Sequence, residues 1–76
     1  MTIKCTMAFA GAFQEAVAAV LDAMATVGEE RHGNLRSAKL AVEKAMRESH
    51  SNAEWFLADH LRRGIKDVEA HALLAA

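Results

Sequence analysis

The stretch that decides the fold is RESHSNAEW, residues 47–55. Read as uninterrupted helix, it makes the C-terminal half of this 76-residue chain one long rod. Read as a turn, it folds that half back on itself. It holds neither proline nor glycine, so no strong breaker decides between the two. Phase does. Upstream, Leu35, Ala38, Val42 and Ala45 repeat in steps of three and four, supported by Met46, and mark one face of a helix. Continued at that spacing, the face passes through Ser49, Asn52, Phe56 and Asp59. Downstream the apolar face is instead Ala58, Leu61, Ile65, Val68, Ala72 and Ala75, out of step with the first. Ser51 with Glu54 three residues on also has the pattern of a capping box, which starts a helix. The spacing therefore predicts a turn near residues 49–52.

Toward the N-terminus the same period recurs. Ala10, Phe13, Val17, Val20, Met24 and Val27 line up on one helical face, widened by Ala16 and Leu21. That segment runs into GEERHGN, residues 28–34, where Gly33 suits a helix-closing left-handed residue and Asn34 suits the next N-cap. The predicted fold is all-α: a small antiparallel three-helix bundle with helices near 10–31, 35–49 and 52–75. It forms a single domain, residues 1–76, with residues 1–9 as a short arm.

Composition narrows the classes. A chain this short buries only about 60% of its unfolded surface, so it is expected to need a staple or a partner. Cys5 is the sole cysteine, which excludes an internal disulfide and leaves no cysteine pair for a structural zinc site. The net charge of −1, with acids and bases interspersed, argues against both a non-specific DNA binder and an acidic DNA mimic. No uninterrupted apolar run approaches about 18 residues, and the start shows no convincing cleavage pattern. No membrane association is expected, and a reduced, cytoplasmic setting in a bacterial or phage-infected cell fits.

Self-association is the expected remedy for size. The third predicted helix is about 36 Å long, and the second about two thirds of that. The apolar tail ALLAA, residues 72–76, therefore overhangs the shorter helix and is expected to pack on a second copy or to lead into further chain. Trp55 and Phe56 are neighbours on a helix and point in different directions, so one core cannot easily take both. Trp55, Phe56, Leu73 and Leu74 are the expected interface of a homodimer or higher homo-oligomer.

Few residues offer chemistry. His60 and His71, eleven apart on one helix, stand about 16 Å apart, too far to share a metal ion. His32 and His50 fall in predicted loops. No facing pairs of carboxylates spaced by one turn exist to hold magnesium, and Glu29 and Glu30 diverge. Cys5 has no neighbouring base. No catalytic residue, metal or cofactor is expected. Two basic groups suit an anionic ligand: Arg31, His32 and Arg36 by the first loop, and Arg62, Arg63 and Lys66 around Gly64. Gly64 costs roughly 1 kcal/mol against alanine inside a helix, so either close helix approach or ligand access is expected there.

Two resemblances rest on these residues. GEERHG, VEKAMRE and HALLAA follow the motif order of the phage dATP/dGTP diphosphohydrolase-like domains, with Gly28, Arg31, Gly33, Glu43, Arg47 and His71 at matching positions. Val27 and Glu48 stand where that family carries an acid and a histidine. HLRRGIKDV, residues 60–68, resembles the last helix of small phage proteins that sequester cyclic-oligonucleotide immune signals. That second resemblance implies a helical oligomer with ligand sites between subunits. The leading expectation is a small, non-enzymatic, phage-type protein that oligomerises and binds a nucleotide ligand or a host defence protein, as an anti-defence inhibitor or signal sponge. The alternatives are a nucleotide pyrophosphatase-like enzyme domain and a structural oligomerisation module.

Overall fold

The computed structural model describes the backbone of residues 6–74 and the side chains as far as His71. Over that range the chain forms three helices: α1, Met7–Ala25; α2, Gly28–Arg47; and α3, Asn52–Leu74. Short connections fold each helix back on the one before, as in helical bundles. α2 is the central element: α1 packs along it closely, α3 packs against it less, and α1 meets α3 least. The expected three-helix bundle is therefore the fold. Leu73 and Leu74, expected at an interface, lie outside the residues whose side chains are described, as does Cys5.

The helix ends follow local chemistry. α1 begins three residues before its predicted start because Thr6 caps it, its Oγ1 accepting from the Phe9 N–H at 3.3 Å. At the other end Thr26 and Val27 are extended, as β-branched residues prefer, and α1 stops at Ala25 rather than near 31. Gly28 then takes φ +65°, a left-handed conformation open to glycine, and turns the chain into α2. The stretch read as a loop, residues 28–34, thus forms the first two turns of α2. Glu29 and Glu30 favour this, since acids in a first turn complement the helix dipole. Asn34 is not the cap. Its side-chain amide donates to Thr26 Oγ1 at 3.1 Å, fastening α2 to the connection.

The predicted turn after α2 is present, and half of its capping box forms: Ser51 caps α3, while the Glu54 carboxylate returns to the N–H of His50, one residue before the cap. The Glu54 N–H donates to Ser51 Oγ at 3.1 Å, while the Glu54 carboxylate accepts from the His50 N–H at 2.7 Å. A long-range link adds to this. The same carboxylate accepts from the Thr6 N–H at 2.7 Å and the Thr6 hydroxyl at 3.2 Å. Glu54 is only 1% exposed, and it ties the starts of α1 and α3 together.

The interior departs from the predicted stripe on α1. The buried face there is Phe9, Ala12, Ala16 and Ala23, with Ala19 partly buried, again in steps of three and four. The bulkier Phe13, Val17 and Val20 stand beside it half-buried, and Met24 is 60% exposed. Small side chains on α1 meet the larger Leu35 and Val42 of α2 and Ile65 of α3 in one cluster. Small against large fills a helix seam without voids, and alanines let the backbones approach. A second cluster joins Phe9, Ala12, Ala45 and Ala58, with Phe13 stacked on Phe9 at 5.6 Å. On α2 the predicted face holds, with Leu35, Ala38, Val42 and Ala45 buried; on α3 Ala58 and Ile65 are buried and Leu61 and Val68 partly so, while Ala72 and Ala75 lie outside the residues whose side chains are described.

Candidate functional site

The charged groups gather in two places on α3. Between α2 and α3 runs a groove of about 280 Å³, lined by Lys39, Val42, Glu43, Arg62, Ile65 and Lys66. Its apolar part is the edge of the core at Val42 and Ile65, and its rim carries three cations and one carboxylate. Lys39 is held by Glu69 across the groove, a solvent-exposed pair of little energetic weight. Arg62 donates twice to Asp59 Oδ1, at 3.1 and 2.7 Å. Lys66 has no ion-pair partner among the described residues.

Beside the groove, toward the start of α3, lies a depression of about 110 Å³ lined by Trp55, Phe56, Asp59, His60 and Arg63. Arg63 Nε stands 3.2 Å from Asp59 Oδ2, so the one carboxylate serves two guanidinium groups. The Arg62 hydrogen bonds hold the Asp59 carboxyl below its usual range, helped by the charges of both arginines and opposed by burial. Arg62 and Arg63 against the one carboxylate of Asp59 leave one positive charge in excess here. Trp55 is 47% exposed and Phe56 71% exposed at its edge.

The structure thus splits the second of the two basic groups read from the sequence. Arg62 and Lys66 share the groove, and Arg63 faces the aromatic depression instead. Lys39 and Glu43, one turn apart on α2, complete the groove. Sequence reasoning missed them because nothing in a single sequence shows which outer face of α2 abuts α3. Arg31 is engaged locally: its Nε donates to the carbonyls of Ala23 and Thr26, at 3.3 and 2.8 Å, and closes the C-terminal end of α1. His32 and Arg36 are exposed on the N-terminal half of α2 and do not line the groove. Gly64 has no close neighbour, and a Cβ there would meet nothing within 4 Å.

The two buried carboxylates are committed to structure. Hydrogen bonds from the backbone N–H groups of His50 and then Thr6 hold the Glu54 carboxyl below its usual range. Asp59 is held by its arginines. Among the described residues no three His, Cys, Asp or Glu side chains converge so as to hold a metal ion. His60 is exposed, and His71 Nδ1 lies 2.9 Å from the Asp67 carbonyl.

The large apolar side chains outside the core are Met7, Leu21, Met24, Val27, Leu40, Trp55 and Phe56. Three of these belong to α1. That helix is long and apolar enough to cross a membrane by length and composition, although it carries Glu15 and Asp22 and rests against α2. Comparison with protein-family models, curated proteins and solved structures finds no match.

Proposed function

We propose that this protein works by binding rather than by catalysis, as a small helical module that self-associates and holds a partner on the surface so formed. One observation carries the reading: alanines fill the α1 seam while Leu21, Met24, Trp55 and Phe56 lie largely outside it. Apolar bulk left in water by a chain this small marks an interaction surface. Glu54 and Asp59, the two buried carboxylates, are engaged and so are not free to activate water or grip magnesium. The ligand would be anionic, taken at the cationic side of α3. Depressions of about 280 and 110 Å³ fall short of the roughly 300–1,000 Å³ of a typical ligand pocket. A nucleotide-sized ligand would therefore need walls from a second copy, as in the phage signal-sequestering proteins that residues 60–68 resemble. An anti-defence inhibitor or nucleotide sponge is the form of binder this reading favours.

Sedimentation velocity from low to high micromolar concentration tests the association, with a mass of two or more chains expected. Calorimetric titration with mononucleotides and cyclic dinucleotides, with and without magnesium, tests the ligand. Binding without turnover, weakened by Lys66→Ala, is the expected result. Magnesium-dependent product formation would overturn the non-enzymatic reading.

A further inference from the structure

α1 carries a second apolar band besides the face it buries. At about 100° per residue, Ala10, Phe13, Val17, Leu21 and Met24 fall within one strip, turned about 110° from the line of Phe9, Ala12, Ala16 and Ala23. Ala10, Phe13 and Val17 are half-buried, Phe13 by its stacking on Phe9, whereas Leu21 is 59% and Met24 60% exposed. The steps of the strip are three, four, four and three, symmetric about Val17. Reversing the helix about Val17 brings Ala10 opposite Met24 and Phe13 opposite Leu21. Small meets large at the ends, and two bulky side chains meet on either side of the centre. Such self-matching is what a two-fold contact between identical subunits requires.

Charge agrees with this occupant. The only ionisable residues on α1, Glu15 and Asp22, lie on the far side of the helix from the strip, so pairing two copies buries no carboxylate and opposes no like charges. Gln14 sits at the edge, where its amide stays in water. A lipid surface fits less well. Helices that lie on anionic membranes carry lysine or arginine along their polar face, and α1 has neither.

We infer that α1 pairs antiparallel with α1 of a second copy, about a two-fold axis passing near Val17. This rests on the self-association proposed above and adds its geometry. From Ala10 to Met24 the strip is only about 21 Å long. One helix face of that length lies below the roughly 800 Å² per partner of a standard interface, so the dimer is reversible and depends on concentration.

The test uses the full chain with Cys5→Ser as background, so that each introduced cysteine is the only one. Near the axis, Val17→Cys meets its own copy and is expected to form an interchain disulfide under mild oxidation, while Leu40→Cys on α2 is not. Leu21→Glu is expected to shift the sedimenting species to a single chain with the helical circular dichroism unchanged. A protein that still assembles, but links through Leu40→Cys or Phe56→Cys and not through Val17→Cys, overturns the α1 pairing and leaves self-association standing. A wild-type chain that stays single at every concentration overturns both. Co-sedimentation with anionic vesicles in place of dimer formation assigns the strip to lipid and also overturns the pairing.

Discussion

The alanine seam makes the sharpest demand on experiment. Ala23 is fully buried, in a cluster with Leu35, Ala38, Val42 and Ile65. Ala25, half a turn on, is exposed. Replacing each by leucine adds the same three carbons. At position 23 they have nowhere to go without moving α1 away from α2, and overpacking of this kind costs about 1–3 kcal/mol. At position 25 they project into water, and exposed changes stay within about 0.5 kcal/mol. For a domain of this size each kcal/mol moves the melting temperature by about 4–8 °C, so Ala23→Leu lowers Tm by roughly 5–20 °C and Ala25→Leu leaves it nearly unchanged. A domain stable by about 4–11 kcal/mol survives the loss, so the variant remains folded and measurable. Thermal melts followed by circular dichroism, repeated over a tenfold range of concentration to separate folding from association, read the difference. Equal effects, or a larger loss from Ala25→Leu, would show that α1 turns a different face to α2.

Two further predictions concern Glu54 and Gly64. The Glu54 carboxyl is held below its ordinary value of 4.5 in the folded chain, so the unfolded state binds more protons in mildly acidic solution. The stability this group contributes is present above that value and is lost as pH falls through the lower folded one; Asp59 acts in the same sense. Denaturant unfolding across the acid range should show stability falling below about pH 4.5 in the wild type and a flatter limb in Glu54→Gln. An unchanged limb would remove Glu54 from that role. Gly64→Ala places a methyl group where nothing stands within 4 Å, in mid-helix, and is expected to stabilise the chain by about 0.5–1 kcal/mol in urea titration. A loss of stability would mean that another surface closes on α3 at that point.

Much of the architecture was readable along the chain. Leu35, Ala38, Val42 and Ala45 announced α2, and the phase break with Ser51 and Glu54 announced the turn into α3. These signals are local: a helical period and a cap are written in residues three and four apart. The first connection was misplaced because Gly33 and Asn34 carry the usual helix-ending signs. What ends α1 is an extended Thr26–Val27 pair followed by a left-handed Gly28. The basic cluster on α3 was legible as a group. Its division between a groove with Lys39 and Glu43 and a depression with Trp55 and Phe56 was not, since that depends on which side of α3 abuts α2.

Alone, the order of amino acids determined that this protein is helical, roughly where it turns, and which residues on α2 and α3 face inward. Only the tertiary structure decided that α1 buries alanines and leaves Leu21 and Met24 outside, and that Glu54 reaches 48 residues back to Thr6. Period and capping are properties of one helix by itself. The choice between two apolar faces of α1 depends on the shape of the surface it meets, where small side chains set against Leu35, Val42 and Ile65 fill the seam that larger ones would force apart.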